Sequence, residues 1–180
     1  KGIPMVFRTG GTSLSGQAIT DGILVDLSRY WQGAKVLDQG SFVQVQPGII
    51  GGQVNQLLKT YGRKIGPDPA SINAAMMGGI LSNNSSGMCC GVVQNAYHTI
   101  KSMAFMLPDG SYFNSAVPDD YARFKTEKSA LYQGILDLQS RLKSHPELVT
   151  SIRRKYQLKN TVGYGLNAFL DFEHPLDILV

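Results

Sequence analysis

Short apolar runs separated by polar turns dominate the first third of the chain. Met5-Val6-Phe7 and Ile23-Leu24-Val25 are brief apolar stretches, the second bounded by Asp21-Gly22, and both predict strands. Phe42-Val43-Gln44-Val45-Gln46 alternates with period two and stops at Pro47-Gly48, the pattern of a half-buried strand. The period then changes. Val54, Leu57, Leu58 and Tyr61 fall at i, i+3, i+4 and i+7, which predicts an amphipathic helix stopped by Gly62. Gly66-Pro67-Asp68-Pro69 cannot be helical and predicts a rigid bend. Ser71 and Asn73 are candidate N-caps for a short helix of small residues over Ala74 to Leu81. Thr99 to Leu107 reads as a buried strand, Pro108-Asp109-Gly110 as a turn, and Ser111-Tyr112-Phe113 as the return of a hairpin. Beyond Pro118 the pattern changes again, and Leu131, Ile135, Leu138 and Leu142 mark a long helix. Ser144 and Pro146 suit the N-cap and first turn of another, Glu147 to Tyr156. Strands and helices in this mixed order predict an α+β fold rather than a regular strand–helix alternation.

Composition adds one departure from the ordinary. A chain of 180 residues with 43% hydrophobic and 17% charged residues is that of a globular domain with a real core. Its 20 glycines, however, cluster in Gly10 to Gly16, Gly48 to Gly52, Gly62 to Gly66 and Gly78 to Gly91. Clustered glycine between apolar segments points to backbone brought close to something. The net charge of +4 does not point to nucleic acid, because the basic residues are scattered. The densest group, Arg153-Arg154-Lys155 with Lys159, falls at a helix end, where cations complement the dipole. Cys89 and Cys90 are adjacent, poorly placed to bridge each other and too few for a structural zinc site, so no metal site is expected and the compartment reads as reducing and cytoplasmic. No signal peptide or membrane-spanning run is present, and Asn83-Asn84-Ser85 reads as a chance glycosylation sequon. His98, His145 and His174 show no ligand spacing and read as surface or capping residues; Trp31 with Tyr30 and Arg29 reads as packing beneath a loop; Asp171, Glu173 and Asp177 read as a solvated acidic tail. Lys1 is not an initiator methionine and Asp177 to Val180 stops in an apolar run, so both ends are expected to be cut from something longer.

The chemistry sits in two segments. The first is the turn Arg8-Thr9-Gly10-Gly11-Thr12-Ser13-Leu14-Ser15-Gly16-Gln17, directly after a strand. Such a loop can aim successive backbone N–H groups into one concavity suited to a pyrophosphate, with hydroxyls of Thr9, Thr12, Ser13 and Ser15 as further donors. Gly11 to Gly16 has P-loop spacing, but Gln17-Ala18 replaces the lysine and hydroxyl that hold phosphate and magnesium. There is no G-x-G-x-x-G, and no complete hydrolase nucleophile elbow. Alone, the loop is a phosphate site or simply a turn. The second segment is Pro67-Asp68-Pro69-Ala70-Ser71 followed by Gly78-Gly79 and the run Asn83-Asn84-Ser85-Ser86-Gly87. Each helical glycine costs on the order of 1 kcal/mol relative to alanine, so the Gly78-Gly79 pair implies close packing or close ligand approach.

Together these segments resemble the FAD-binding domain of the vanillyl-alcohol oxidase / p-cresol methylhydroxylase type. Arg8 to Ala18 resembles its first pyrophosphate loop, and Gly66 to Ser71 with Gly78-Gly79 and Asn83 to Gly87 resembles its second flavin-contacting segment. Lys101 to Asn114, Lys159 to Ala168 and Pro175 to Leu179 resemble further parts of the large D-lactate dehydrogenase-like oxidoreductases that carry FAD and iron–sulfur centres.

The resemblance implies a PCMH-type domain with a mixed sheet flanked by helices, truncated at both ends. Residues 1–180 would be a partial domain lacking the N-terminal subdomain, the glycine-rich adenosine-side segment and the C-terminal substrate cap. It implies FAD bound by Arg8, Thr9, Gly10, Gly11, Thr12, Ser13, Leu14, Ser15, Gly16, Gln17, Pro67, Asp68, Ser71, Gly78, Gly79, Asn83, Asn84, Ser85 and Gly87. Thr12 stands where covalent members carry a histidine, so attachment is expected to be non-covalent, with Cys89 and Cys90 read as small-residue packing. The implied reaction is oxidation of a D-2-hydroxy acid such as D-lactate, with 2-hydroxyglutarate or glycolate as alternatives. Electrons would leave through iron–sulfur centres and an acceptor reached by the missing domains, in a protein that is cytoplasmic or peripheral to the inner membrane. The fragment would be inactive alone, and its catalytic residues are not assigned. A non-catalytic nucleotide-binding module is the alternative from another class.

Overall fold

In the computed structural model, which describes residues 2–87, 91–160 and 165–180, Met5–Arg8 (β1) pairs in parallel with Ile23–Asp26 (β2), from Met5 against Ile23 to Arg8 against Asp26. Ala34–Leu37 (β3) and Phe42–Val45 (β4) form an antiparallel hairpin, Ala34 opposite Val45. The first strand of that hairpin was hidden in the sequence. Its turn places Asp38 and Gln39 at φ 46° and 53° before Gly40 at φ 88°, so no Asn-Gly or Asp-Gly pair advertises it. Gly51–Leu58 (α1) follows, tightens over Lys59–Tyr61 and ends at Gly62, which takes φ +64° as the sequence predicted.

Two compact units, Lys1–Thr99 and Ile100–Val180, make up the chain. In the first, Ile49, Val54, Leu58, Ala75, Met77 and Ile80 form the buried core, with Val36, Val43, Val45, Ile65 and Ile72 packed against it. Val54 and Leu58 lie one turn apart on α1 and supply its buried stripe. The small-residue helix is shorter than expected, Met77–Ser82 (α2) instead of Ala74 to Leu81. Ala75 and Met76 are diverted into sheet-like pairing. Gly51 N–H donates to Ala75 O at 3.0 Å, and extended Met76 bridges Ile50. Ser71 and Asn73 therefore lie in a turn rather than at a helix N-cap, and Ser71 O accepts from the N–H groups of Ala74 and Ala75. Ala96–Thr99 (α3) closes this unit.

The second unit opens with the expected hairpin, Ala104–Met106 (β5) against Tyr112–Asn114 (β6), turning at Gly110 with φ +85°. The buried strand expected over Thr99 to Leu107 shrinks to these three residues, of which Ala104 and Met106 are exposed, because Thr99 is helical. Pro118–Glu127 (α4), Ser129–Lys143 (α5), Pro146–Tyr156 (α6), Ala168–Asp171 (α7) and Pro175–Ile178 (α8) complete it. Phe113, Phe124 and Leu176 form the core, with Phe113 edge-on to Phe124 at 5.1 Å. Buried Asp120 joins α4 to β6. It accepts Asn114 N–H at 2.7 Å and pairs with Arg123 at 3.2 Å. Ser144 C-caps α5, and His145 takes the N-cap of α6 that the sequence assigned to Ser144. The acidic residues near the end are not simply a solvated tail. Arg153 pairs with Asp171 and donates to Leu170 O, and Tyr121 hydroxyl donates to Asp177 at 2.6 Å. No helix among the described residues is long and apolar enough to cross a membrane. The α+β class stands, its strands paired in three two-stranded ladders, one parallel and two antiparallel.

His174 caps α8 with its ring, Nδ1 accepting Leu176 N–H at 3.1 Å. The ring packs 4.7 Å from Tyr121 and 5.4 Å from Tyr132, and this burial lowers its pKa below 6.5, against the opposing pull of Asp177 and with the help of Lys125. The folded chain thus binds this proton less readily than the unfolded chain, so the contribution is whole above pH 6.5 and is lost as pH falls below it towards the folded pKa. His174→Asn keeps an oxygen N-cap without the titration. Urea midpoints between pH 7 and 5 should fall more steeply for wild type than for His174→Asn; parallel slopes would contradict this account.

Candidate functional site

The connection from β1 to β2 must cross over, because parallel strands cannot be joined by a tight hairpin. Here the crossover contains no helix. It leaves the ladder at Arg8, whose carbonyl accepts Leu27 N–H at 2.9 Å, and is exposed from Gly11 to Gln17. Gly11 and Gly16 take φ +62° and +77°, conformations that glycine adopts without strain. Ser13 hydroxyl donates to the side chain of Gln17, and Ile19 N–H donates to Gly16 O at 3.1 Å, so the arch is closed on itself. Among the described residues, no backbone N–H from Gly11 to Gln17 donates to a protein acceptor. Thr12, Leu14 and Ser15 project into solvent. A row of exposed, unspent N–H groups is a site for an anion. At its foot, Asp26 is held below the usual carboxylate range by the hydroxyl and N–H of Ser28 and by the charge of Arg8.

The second segment seats this arch. A Cβ on Gly10 would lie 2.6 Å from Ala74 O. Gly78 donates its N–H to Pro47 O at 2.9 Å, and a Cβ there would meet Pro47 Cβ at 2.8 Å and Thr9 Cγ2 at 3.1 Å. On Gly79 it would lie 3.0 Å from Thr9 Oγ1. The helical glycine pair is therefore spent on letting Thr9 lie against the first turn of α2. Pro47 and Ala74, which supply this seat through their carbonyls, carry no chemical signal in the sequence.

The opposite end of α2 holds the other predicted residues. Asn83 is its C-cap, and Asn84 follows at φ +44°. Ser85 N–H donates to Ile80 O, while Ser86 O accepts Asp68 N–H at 3.2 Å. Gly87 meets the proline bend so closely that a Cβ would lie 1.9 Å from Asp68 O. Pro67 is buried, and Asp68 pairs with Lys64 at 3.3 Å. The predicted site residues thus fall into two groups at the two ends of a six-residue helix, roughly 9 Å long. Thr9 and Gly10 with Gly78 and Gly79 gather at one end; Pro67 and Asp68 with Asn84, Ser85 and Gly87 gather at the other. Ser71 lies in the preceding turn.

Among the described residues of the first unit, two buried side-chain polar atoms have no hydrogen-bond partner, Arg8 Nε at the root of the arch and Ser86 Oγ beside the proline bend. Ser86 lay inside the predicted run without being singled out. Cys89 and Cys90 lie outside the described residues, as do Thr161, Val162, Gly163 and Tyr164. Trp31 is not packed beneath a loop. It and Tyr30 are exposed, and only the Trp31 carbonyl is engaged, by Gly48 N–H. The exposed N–H groups of the arch and the unpartnered Ser86 hydroxyl thus lie toward opposite ends of α2, about one helix-length apart.

A family model described as FAD binding domain matches residues 1–115. The D-2-hydroxyglutarate dehydrogenase of Pantoea ananatis is 27% identical over 180 residues, covering 95% of this chain and 17% of that protein. The enzyme of the same name from Pseudomonas putida is 33% identical over 117 residues, 64% of this chain and 12% of that protein. Glycolate oxidase subunit GlcD of Escherichia coli is 28% identical over 110 residues, 60% of this chain and 22% of that protein. The chain therefore spans less than a quarter of the length of each of these relatives.

Gly87→Ala sets a methyl group against main chain that cannot move aside, and should destabilise the first unit by roughly 1–3 kcal/mol. Gly79→Ala meets only the end of the Thr9 side chain, at 3.0 Å, and should be milder. Urea denaturation of both variants checks the order; equal losses would mean that backbone contact does not hold the two ends of α2 in place.

Proposed function

The chain belongs to the FAD binding domain family, whose model matches more than half of it, and from that premise we propose that it is the flavin-holding portion of a longer oxidoreductase acting on a 2-hydroxy acid. The observation that carries the reading is the arch of unspent N–H groups from Gly11 to Gln17, seated on α2 through Thr9 and Gly10. These main-chain donors hold the FAD diphosphate, with Arg8, Thr12, Ser13, Leu14 and Ser15 as the surrounding side chains. Gly78 and Gly79 keep the seat close. Pro67, Asp68, Asn83, Asn84, Ser85 and Gly87, at the other end of α2, and Ser71, in the turn before it, face the ribitol and flavin. When bound, FAD supplies acceptance of a hydride equivalent from the carbon that bears the hydroxyl. The part played by this chain is to bind and orient: main-chain groups on a loop held at both feet exchange water for phosphate oxygens.

Several observations support the wider proposal. The relatives named for D-2-hydroxyglutarate and glycolate both concern 2-hydroxy acids, and support those substrates at least as well as D-lactate. Coverages of 95% and 60% must overlap across more than half the chain, so one stretch serves relatives with two different substrate names. Substrate choice then rests on residues other than the shared cofactor cradle. The low coverage of the relatives supports a longer polypeptide, to which this reading assigns a substrate cap, iron–sulfur centres and an electron acceptor reached through further domains. So does the exposure of Met5 and Phe7, since parallel strand pairs ordinarily have both faces covered. Thr12 offers no nucleophile of the kind used for a histidyl flavin, in keeping with non-covalent attachment. A cytoplasmic location, peripheral to the membrane at most, completes the reading.

Adding FAD to the chain should give a saturable, shifted flavin band with vibrational structure, and acid precipitation should release all of the flavin. Thr12→Asp places a carboxylate on the arch and should weaken FAD binding about tenfold or more, close unit charges at a protein surface being worth several kcal/mol. Tight ATP binding with no flavin response would replace this reading with that of a non-catalytic nucleotide-binding module.

A further inference from the structure

The histidine next to the second segment is held in a way that ordinary capping does not require. Asn95 is buried and stands at the N-cap of α3. Its Oδ1 accepts the backbone N–H of His98 at 3.0 Å, which is all that an N-cap needs. The same oxygen also contacts His98 Nδ1 at 2.8 Å. An amide oxygen can only accept, so Nδ1 carries the proton and Nε2 of the neutral ring is a bare acceptor. The ring is also braced edge-on by Tyr97, centroids 5.0 Å apart. Nε2 has no partner among the described residues, and the side chain is exposed.

The position of α3 gives this acceptor its meaning. Ala96 N–H donates to Ser85 O and Tyr97 N–H donates to Asn84 Oδ1, both at 2.9 Å, so the helix is fastened directly to the run at the flavin end of α2. α3 also packs against α2 itself. His98 is thus an oriented, acceptor-only nitrogen on the rim of the segment read above as the flavin side. Oxidised flavin presents several acceptors along its polar edge and a single N–H donor, at N3. Resting on the flavin reading, we propose that His98 Nε2 accepts the N3–H of the bound flavin and acts as a positioning residue for the ring.

The test compares FAD with its N3-methyl analogue, which cannot donate, in fluorescence titrations of the full chain. Wild type should bind FAD about tenfold more tightly than the analogue, the difference one hydrogen bond makes. His98→Ala should bind both equally, and His98→Phe, which keeps a ring without the acceptor, should do the same. His98→Gln, whose side-chain carbonyl restores an acceptor, should recover part of the preference. Circular dichroism identifies any variant that has lost its fold, and the other variants then decide the question. The same preference in wild type, His98→Ala and His98→Phe overturns the proposal while leaving the flavin reading intact. Failure of wild type to bind either flavin overturns both.

Discussion

Several glycines let one segment of the first unit lie directly on another, and three of them hold loops against α2 and its flanks. Gly10 lies on Ala74 O, Gly78 on Pro47, and Gly87 on Asp68 O, at separations that leave no room for a Cβ. Each contact brings a segment without regular structure against α2 or its flanks. None can be replaced by side-chain packing, since a side chain would hold the segments apart by several ångströms. The buried core of Ile49, Val54, Leu58, Met77 and Ile80 fixes α2 against α1, and the glycine contacts then fix the two loops against α2. The outcome is a cradle whose geometry is set by backbone, with little dependence on which side chains surround it.

This explains why parts of the site were readable and others were not. Glycine is a visible signal, and the clusters Gly10 to Gly16 and Gly78 to Gly91 include Gly10, Gly78 and Gly87, whose close contacts lie at α2 and its flanks. The partners of those glycines are carbonyls, and a carbonyl belongs to every residue. Nothing in the sequence therefore distinguishes Pro47 or Ala74 as the seat. The early part of α2 was misjudged for a related reason. Ala74, Ala75 and Met76 favour helix, but Ala74 closes a turn with Ser71, and pairing with Ile50 and Gly51 draws Ala75 and Met76 out of the helix. Such tertiary override leaves no local trace. β3 was missed because its turn uses left-handed Asp38 and Gln39 in place of the usual glycine pair. The long helices of the second unit were legible because their apolar period is sustained over several turns.

Electrostatics divides the chain differently. In the second unit the displaced titrations have structural causes. Asp109, exposed in the hairpin turn, is held well below the usual carboxylate range by Lys128 and Ser111. Tyr121 is pushed up to about 12 by its hydrogen bond to Asp177, with burial adding to it. These bonds fasten the hairpin and α8 to the helices between them. A strongly displaced pKa often marks acid–base chemistry, but here each displaced group has a structural partner that accounts for it. The exposed donors of the arch in the first unit are main-chain N–H groups, which do not titrate at all.

That choice of donors also explains how the arch can remain open. A buried loop with seven unpaired N–H groups would be destabilised by each of them, whereas an exposed one has them satisfied by water. Exposure alone would leave the loop free to sample many conformations, and ordering it on binding costs about 1–2 kcal/mol per residue. Bonds at the two feet of the arch reduce that cost. Its root is held by the ladder at Arg8 and by Thr9 against Gly78 and Gly79; its far side is held by the Gly16–Ile19 turn and by Gly22, whose N–H bonds the Thr20 hydroxyl at 3.0 Å. Only the crown, Gly11 to Ser15, is left to adjust. A short crown on supported feet leaves few residues to order if the exposed N–H groups take up an anion.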